Sequence, residues 1–262
     1  MRHAKGKLTI DLQALQDNYH IIEGRLSAGC KSAAVVKADA YGLGAVQVVG
    51  ALIAAGCDTF FVACLEEAQA LREHYKDCRI LVLNGFYESA ADIYIEQNIT
   101  PVLGSFIEIQ GVKALAAKSG QDLPVFLKFN IRMNRLGFGS VETREMLDNM
   151  SMLDGVNVQG IMSHFACADI AGHEMNDLQY SVFKDIAARF EGFFPGIEKS
   201  LCNSSGVFRS EEYHFDLVRP GMALYGLNPT PEMDSPMKPV VCLDLPVIRT
   251  RIVESGSCVG YG

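Results

Sequence analysis

Eight short apolar runs alternate with amphipathic stretches along most of this chain, and that rhythm leaves few folds open. The runs occupy 33–36, 59–63, 80–83, 100–103, 125–129, 156–162, 197–202 and 215–218. Each is of strand length and largely without polar alternation, the pattern of a strand buried on both faces. Between them, helical spacing marks 45–55, 65–75, 89–97, 106–117, 141–149, 177–193 and a short stretch at 206–210. A strand at 7–10 and a helix N-capped by Asp11, with Leu12, Leu15, Tyr19, Ile22 and Leu26 on one face, precede the alternation. Buried strands with right-handed crossovers predict an α/β fold, a (β/α)8 TIM-type barrel, and 262 residues with 49% hydrophobic content are enough for its core. An open doubly wound sheet is the competitor. Against it, the residues that suggest chemistry each follow the C-terminal end of a run, where barrel sites gather, rather than one glycine-rich first turn.

After Leu227 the pattern changes. Residues 228–237 are rich in proline and read as a linker, and 238–262 holds β-rich segments at 240–247 and 247–253. These are too few strands to bury a face alone. The expected organisation is therefore a barrel over 11–227, with 1–10 and 238–262 forming an incomplete β domain.

A net charge of −8 argues against nucleic acid or an anionic membrane as partner. No stretch approaches the roughly 20 apolar residues of a membrane span, and the basic start, Met1 to Lys7, lacks the apolar core of a secretory signal. The eight cysteines are scattered without a Cys-x-x-Cys pair. They read as reduced thiols of a cytoplasmic protein.

Chemistry first shows at Lys37, which follows Ala33, Ala34, Val35 and Val36 and opens the stretch Lys37-Ala38-Asp39-Ala40-Tyr41-Gly42-Leu43-Gly44. A lysine delivered by an apolar run either snorkels to solvent or bonds to something that removes its charge. Imine formation with an aldehyde cofactor is the second course, and burial lowers a lysine's pKa enough to make it a nucleophile.

Lys37-Ala38-Asp39-Ala40-Tyr41-Gly42 resembles the cofactor-lysine motif of the alanine racemases, pyridoxal-phosphate enzymes built from a barrel and a small β domain. Four further stretches resemble that family in its order: Met133 to Phe138, Ser163 to Asp169, Asn203-Ser204-Ser205-Gly206, and Arg219-Pro220-Gly221-Met222-Ala223-Leu224-Tyr225-Gly226. The resemblance implies a Schiff base between pyridoxal 5′-phosphate and Lys37, interconversion of L- and D-alanine, D-alanine supply for peptidoglycan, and a homodimer. It implies that Ser204, Gly221, Met222 and Tyr41 hold the phosphate, with Asn203 beside them; an ordinary helix cap is the other reading of Asn203 and Ser204. Arg219 is implied to face the pyridine nitrogen and, being permanently cationic, to keep that nitrogen unprotonated; a rim pair with Asp216 is the alternative. His164 is implied to pack against the ring and Arg135 to meet the phenolate oxygen and the substrate carboxylate. Lys128 matches a lysine that some members carbamylate. No metal is expected, since His164, His173 and His214 lack partners at ligand spacing.

Racemisation requires bases on both faces of the α carbon. Lys37 is one. The family's second is a tyrosine whose matching position lies just beyond Gly262, so Tyr261 is not assigned that role. Three departures stand out: Leu43 replaces a histidine, and Ile131 and Arg132 replace a Thr-Gly pair. Losing that glycine is expected to forbid a left-handed backbone, and Arg132 to add charge near Arg135. Weak or absent racemase activity is therefore the expectation for this chain. A non-catalytic barrel that binds or carries pyridoxal phosphate is the alternative from another class; a related decarboxylase or aldolase is the third.

Overall fold

The computed structural model describes residues 6–261; Met1 to Lys5 and Gly262, parts of the expected β domain and the basic start, lie outside them. Lys7–Ile10 (β1) leads into Leu12–Glu23 (α1), whose first turn is capped by Asp11 Oδ1 accepting the Ala14 amide at 2.9 Å. Leu15, Tyr19 and Ile22 bury one face of α1. Asn18 fastens it to the far end of the chain, donating to the Leu224 and Lys238 carbonyls and accepting the Lys238 amide at 2.7 Å.

The barrel follows. Its first strand is split into Lys31–Ser32 (β2) and Ala34–Val35 (β3). Lys37–Gly42 (α2) and Ala45–Ala54 (α3) lead to Thr59–Val62 (β4), then Leu65–His74 (α4), Arg79–Val82 (β5), Ala91–Glu96 (α5) and Ile99–Leu103 (β6). Phe106–Ser119 (α6), Pro124–Lys128 (β7), Ser140–Asp148 (α7), Asn157–Met162 (β8), Glu174–Phe193 (α8), Glu198–Ser200 (β9), Ser204–Val207 (α9) and Leu217–Val218 (β10) complete it.

Strands β3 to β9 pair in parallel in sequence order, and β10 pairs in parallel with β2. Asp216 N to Lys199 O at 3.1 Å and Arg219 N to Cys202 O at 3.0 Å close β10 onto the end of β9. The ring therefore has the eight strands expected from the apolar runs, with one helical connection after another on its outside. Val35, Phe61, Leu81, Val102, Phe126, Met162 and Leu217 fill the interior, while the opposite faces pack against the helices. Gly160 is required here because a Cβ would collide with the Phe126 ring. The Arg79 guanidinium lies 4.9 Å from the centroid of that ring and pairs with Glu198 at 2.7 Å. Both residues open their strands, so they plug the barrel at the end away from the strands' C-termini.

Beyond the barrel, Val241–Asp244 (β11) pairs antiparallel with β1, Lys7 opposite Asp244 and Ile10 opposite Val241. The strand expected over 247–253 does not form; residues 245–261 carry none, and Val247, Ile248 and Ile252 are exposed. Two strands have no sheet face on which such side chains could be buried.

Candidate functional site

The peptide after β3 is wound in the left-handed sense. Ala38, Asp39, Ala40 and Tyr41 have φ between 52° and 58° with ψ between 30° and 50°, although none is glycine. A left-handed turn costs about 1–2 kcal/mol for each such residue, so the surroundings must impose it. Ala40 N donates to Val36 O at 2.9 Å, Gly44 N to Asp39 O at 3.0 Å, and Ala45 N to Asp39 Oδ1 at 2.6 Å. Glu67 reaches across from α4, its Oε1 accepting the Ala38 amide at 2.7 Å. Gly42 and Gly44 also have positive φ, 86° and 94°, but the unusual backbone begins before them.

Lys37 and Tyr41 line a cavity of about 250 Å³ at the C-terminal end of the barrel strands. Lys128, Arg135, His164, Asn203, Ser204, Arg219, Gly221 and Met222 line it too. All ten residues singled out in the sequence thus meet in one place. Val35, Leu83 and Met162, the apolar walls, were not singled out; they lie at or just beyond the ends of their strands, which is the signal that marks them.

Four cations, Lys37, Lys128, Arg135 and Arg219, face this cavity, and no carboxylate lines it. Arg219 is buried, and loss of water lowers its pKa to about 10. It donates to Ser200 Oγ and the Ser163 carbonyl, and its Nη2 lies 3.4 Å from His164 Nδ1. The rim pair with Asp216 does not form, because Asp216 accepts from the Lys199 amide at 2.8 Å and from Lys199 Nζ at 3.3 Å. Burial first, and then Arg219, Arg135, Lys128 and Lys37, push His164 well below the usual histidine range. Its ring is neutral at physiological pH. The same causes, burial ahead of Arg219, Arg135 and Lys37, bring the Lys128 ammonium down to about 8.

In the same cavity, Ser204 Oγ accepts the Gly221 amide at 3.0 Å and the Ala223 amide at 3.2 Å. The amides of Ser204 and Met222 donate to nothing among the described residues. Asn203 Oδ1 accepts the Gly206 amide at 3.0 Å, so the ordinary cap is its role in the fold although it borders the cavity. The Tyr41 ring lies 4.8 Å from that of Tyr225, whose hydroxyl donates to Val35 O at 3.0 Å. A Cβ on Gly221 would collide with the Tyr41 hydroxyl.

The loop after β7 corrects one expectation. Arg132 adopts φ 79° without glycine, and Asn134 adopts φ 55°. Asn130 holds this loop, its Oδ1 accepting the Asn134 amide at 2.9 Å and its Nδ2 donating to Asn134 Oδ1 at 3.1 Å. Arg132 is exposed and lines no part of the cavity. Leu43 packs, half-buried, against the core. Among the described residues no three His, Cys, Asp or Glu side chains converge. His173 caps α8 and His214 accepts the Ser27 amide.

Comparison with known proteins decides the family. The profile of "Alanine racemase, N-terminal domain" matches residues 10–229. The chain belongs to the alanine racemase family. It is 44% identical over 260 residues to a catabolic alanine racemase of Agrobacterium fabrum (strain C58 / ATCC 33970), covering 99% of this chain and 66% of that protein. It is 40% identical over 260 residues to an alanine racemase of Rhodospirillum rubrum, covering 99% and 68%. The crystal structure of the alanine racemase from Bartonella henselae with covalently bound pyridoxal phosphate superposes with a TM-score of 0.88 at 35% identity, over 99% of this chain and 71% of that one. The alanine racemase of Bacillus anthracis with bound L-Ala-P gives 0.82 at 26% identity, over 92% and 64%. The chain thus spans about two thirds of the length of these alanine racemases.

Proposed function

We propose that the cavity binds pyridoxal 5′-phosphate covalently at Lys37 and that the chain carries the barrel part of an enzyme interconverting L- and D-alanine. The observation that carries this reading is the buried Arg219, uncompensated by any carboxylate, in the same cavity as Lys37 and the Ser204–Gly221 amide cradle. The donor set fits the coenzyme. Four cations and two free amides suit a dianionic phosphate and a substrate carboxylate, and the absence of a side chain at Gly221 lets the Tyr41 hydroxyl lie against the backbone there.

When bound, the coenzyme supplies an aldehyde for a primary amine and a ring that draws electron density from the substrate's α carbon. The chain's own residues do the rest. Lys37 Nζ takes the proton from one face of the α carbon or returns it there. Arg219, cationic at any working pH, denies the ring nitrogen a proton of its own, which limits electron withdrawal and favours reprotonation over side reactions. Neutral His164 accepts from Arg219 at Nδ1 and leaves its charge undiluted. Arg135 meets the carboxylate, and the Ser204 and Met222 amides, with the Tyr41 hydroxyl, orient the phosphate.

Lys128, with its lowered pKa, is poised to add to carbon dioxide, forming an N–C bond and releasing a proton to solvent; the resulting carbamate would pair with Arg135. Tyr261 is exposed and does not line this cavity, and the base for the opposite face is not assigned to a residue of the described chain. D-alanine supply for peptidoglycan and a homodimer extend the same reading. So does the division into a barrel over 11–227, a linker over 228–237 and β-domain segments on either side. The exposed Leu243, Leu245, Val247 and Ile248 are apolar surface that a partner subunit would cover.

The test is borohydride reduction with pyridoxal 5′-phosphate followed by peptide mapping, then incubation with L-alanine and assay for D-alanine. Labelling confined to Lys37 supports the site, and label on other lysines alone rejects it. Labelling without D-alanine favours the carrier reading.

A further inference from the structure

We infer that Glu67 is a positioning residue for Lys37: its carboxylate, bonded to the Ala38 amide, holds the left-handed turn that sets the lysine at the cavity. The inference rests on Lys37 being the cofactor lysine. Four consecutive non-glycine residues in the left-handed region persist only where neighbouring structure over-determines them. The bonds from Ala40 to Val36, from Gly44 to Asp39 and from Ala45 to Asp39 all lie within the segment 36–45 and would move with it. Among the described residues, Glu67 is the one side chain from another strand–helix unit that hydrogen-bonds residues 37–42.

Its two oxygens divide their work. Oε1 accepts the Ala38 amide at 2.7 Å, and Oε2 accepts the Ala63 amide at 2.7 Å. Ala63 directly follows β4, and β4 pairs with β3, Ala34 beside Phe60 and Val35 beside Phe61. One carboxylate therefore bridges the ends of two adjacent strands at the residue next to Lys37. The residues before Lys37 are pinned as well: Val36 N donates to Phe61 O at 2.9 Å and Tyr225 Oη to Val35 O at 3.0 Å. A carboxylate that merely capped α4 would have no reason to reach Ala38. Because the acceptor is ionised, the bond is of the stronger, charge-assisted kind.

The test compares Glu67→Ala and Glu67→Gln with the unaltered chain in two measurements. The first, made without coenzyme, is amide hydrogen exchange in peptides spanning 36–44 and 62–70, together with the urea midpoint. The second is the rate at which pyridoxal 5′-phosphate is trapped on Lys37 by borohydride. Glu67→Ala is expected to speed exchange in 36–44 and slow trapping at Lys37, each about ten-fold, as loss of one charge-assisted bond implies. Glu67→Gln, which keeps one acceptor oxygen, is expected to fall between and carries the test if Glu67→Ala does not fold. Faster exchange confined to 62–70, with trapping changed by less than about two-fold, would show a cap and overturn the inference. Failure of the unaltered chain to be trapped at Lys37 would instead remove the proposed function, while the exchange comparison still decides what Glu67 does.

Discussion

The guanidinium of Arg219 is held by the hydroxyl of Ser200 and by no carboxylate. Ser200 Oγ also donates to the Leu217 carbonyl, so its lone pairs are aimed at the guanidinium. Ser200→Ala would strand a buried cationic N–H and a buried carbonyl together. Leaving a buried group unsatisfied costs about 1–3 kcal/mol, more when it is charged. Urea unfolding of Ser200→Ala is expected to show a loss of about 2–3 kcal/mol, and coenzyme affinity is expected to fall with it because Arg219 is no longer aimed.

How much of this was legible from the chain can be seen residue by residue. The apolar runs announced all eight barrel strands through local composition and spacing, whereas Lys37, Ser204 and Arg219 stood out through the motifs in which the chain resembles the alanine racemases. Ser200 gave no such signal, and Ser163, though it opens one of the family-like stretches, gave none of its carbonyl's bond to Arg219: both roles arise only when β10 closes against β9. The left-handed turn was hidden for a related reason. Ala38 and Ala40 carry no mark of positive φ, and the carboxylate that holds the turn comes from Glu67, which reads as an ordinary acid in the first turn of a helix.

Lys128 makes stability depend on pH in a definite direction. An unfolded lysine titrates near 10.5, and the folded one near 8. Below about pH 8 both states hold the proton, and the full penalty of burying it is present. Between about 8 and 10.5 the unfolded chain binds more protons than the folded one, so this group's contribution to stability rises with pH until it levels off. Lys128→Met removes the penalty. Its gain in unfolding free energy is expected to be on the order of 1–3 kcal/mol at pH 7 and to shrink toward zero near pH 10.5. Paired urea titrations at pH 7, 9 and 10.5 check this; a gain independent of pH would mean that packing, not charge, distinguishes the two side chains.

Arg132 occupies a backbone position better suited to glycine, with φ at 79°. It is exposed, so replacing it removes little packing. Relief of the left-handed strain outweighs the entropy that glycine adds to the unfolded chain. Arg132→Gly is therefore expected to stabilise the chain by about 0.5–1 kcal/mol in thermal or urea unfolding. Coenzyme binding should stay unchanged, since Arg132 does not border the cavity.

Gly221 separates the contribution of shape from that of hydrogen bonding in the phosphate cradle. Its Cβ would collide with the Tyr41 hydroxyl, with the ring carbon behind it at 3.2 Å and Val35 Cβ at 3.4 Å. Gly221→Ala must therefore push the Tyr41 ring off Tyr225, at a cost of about 1–3 kcal/mol for an overpacked site. The dissociation constant for pyridoxal 5′-phosphate, followed by absorbance, is expected to rise at least about ten-fold, because the shifted ring and the new methyl group encroach on the same amides. Tyr41→Phe in that background removes the colliding oxygen and should recover part of the stability. Affinity should not recover if the hydroxyl itself binds phosphate, so the two readouts are expected to diverge in the double-mutant cycle. Recovery of both together would assign the whole effect to crowding and take Tyr41 out of the phosphate site.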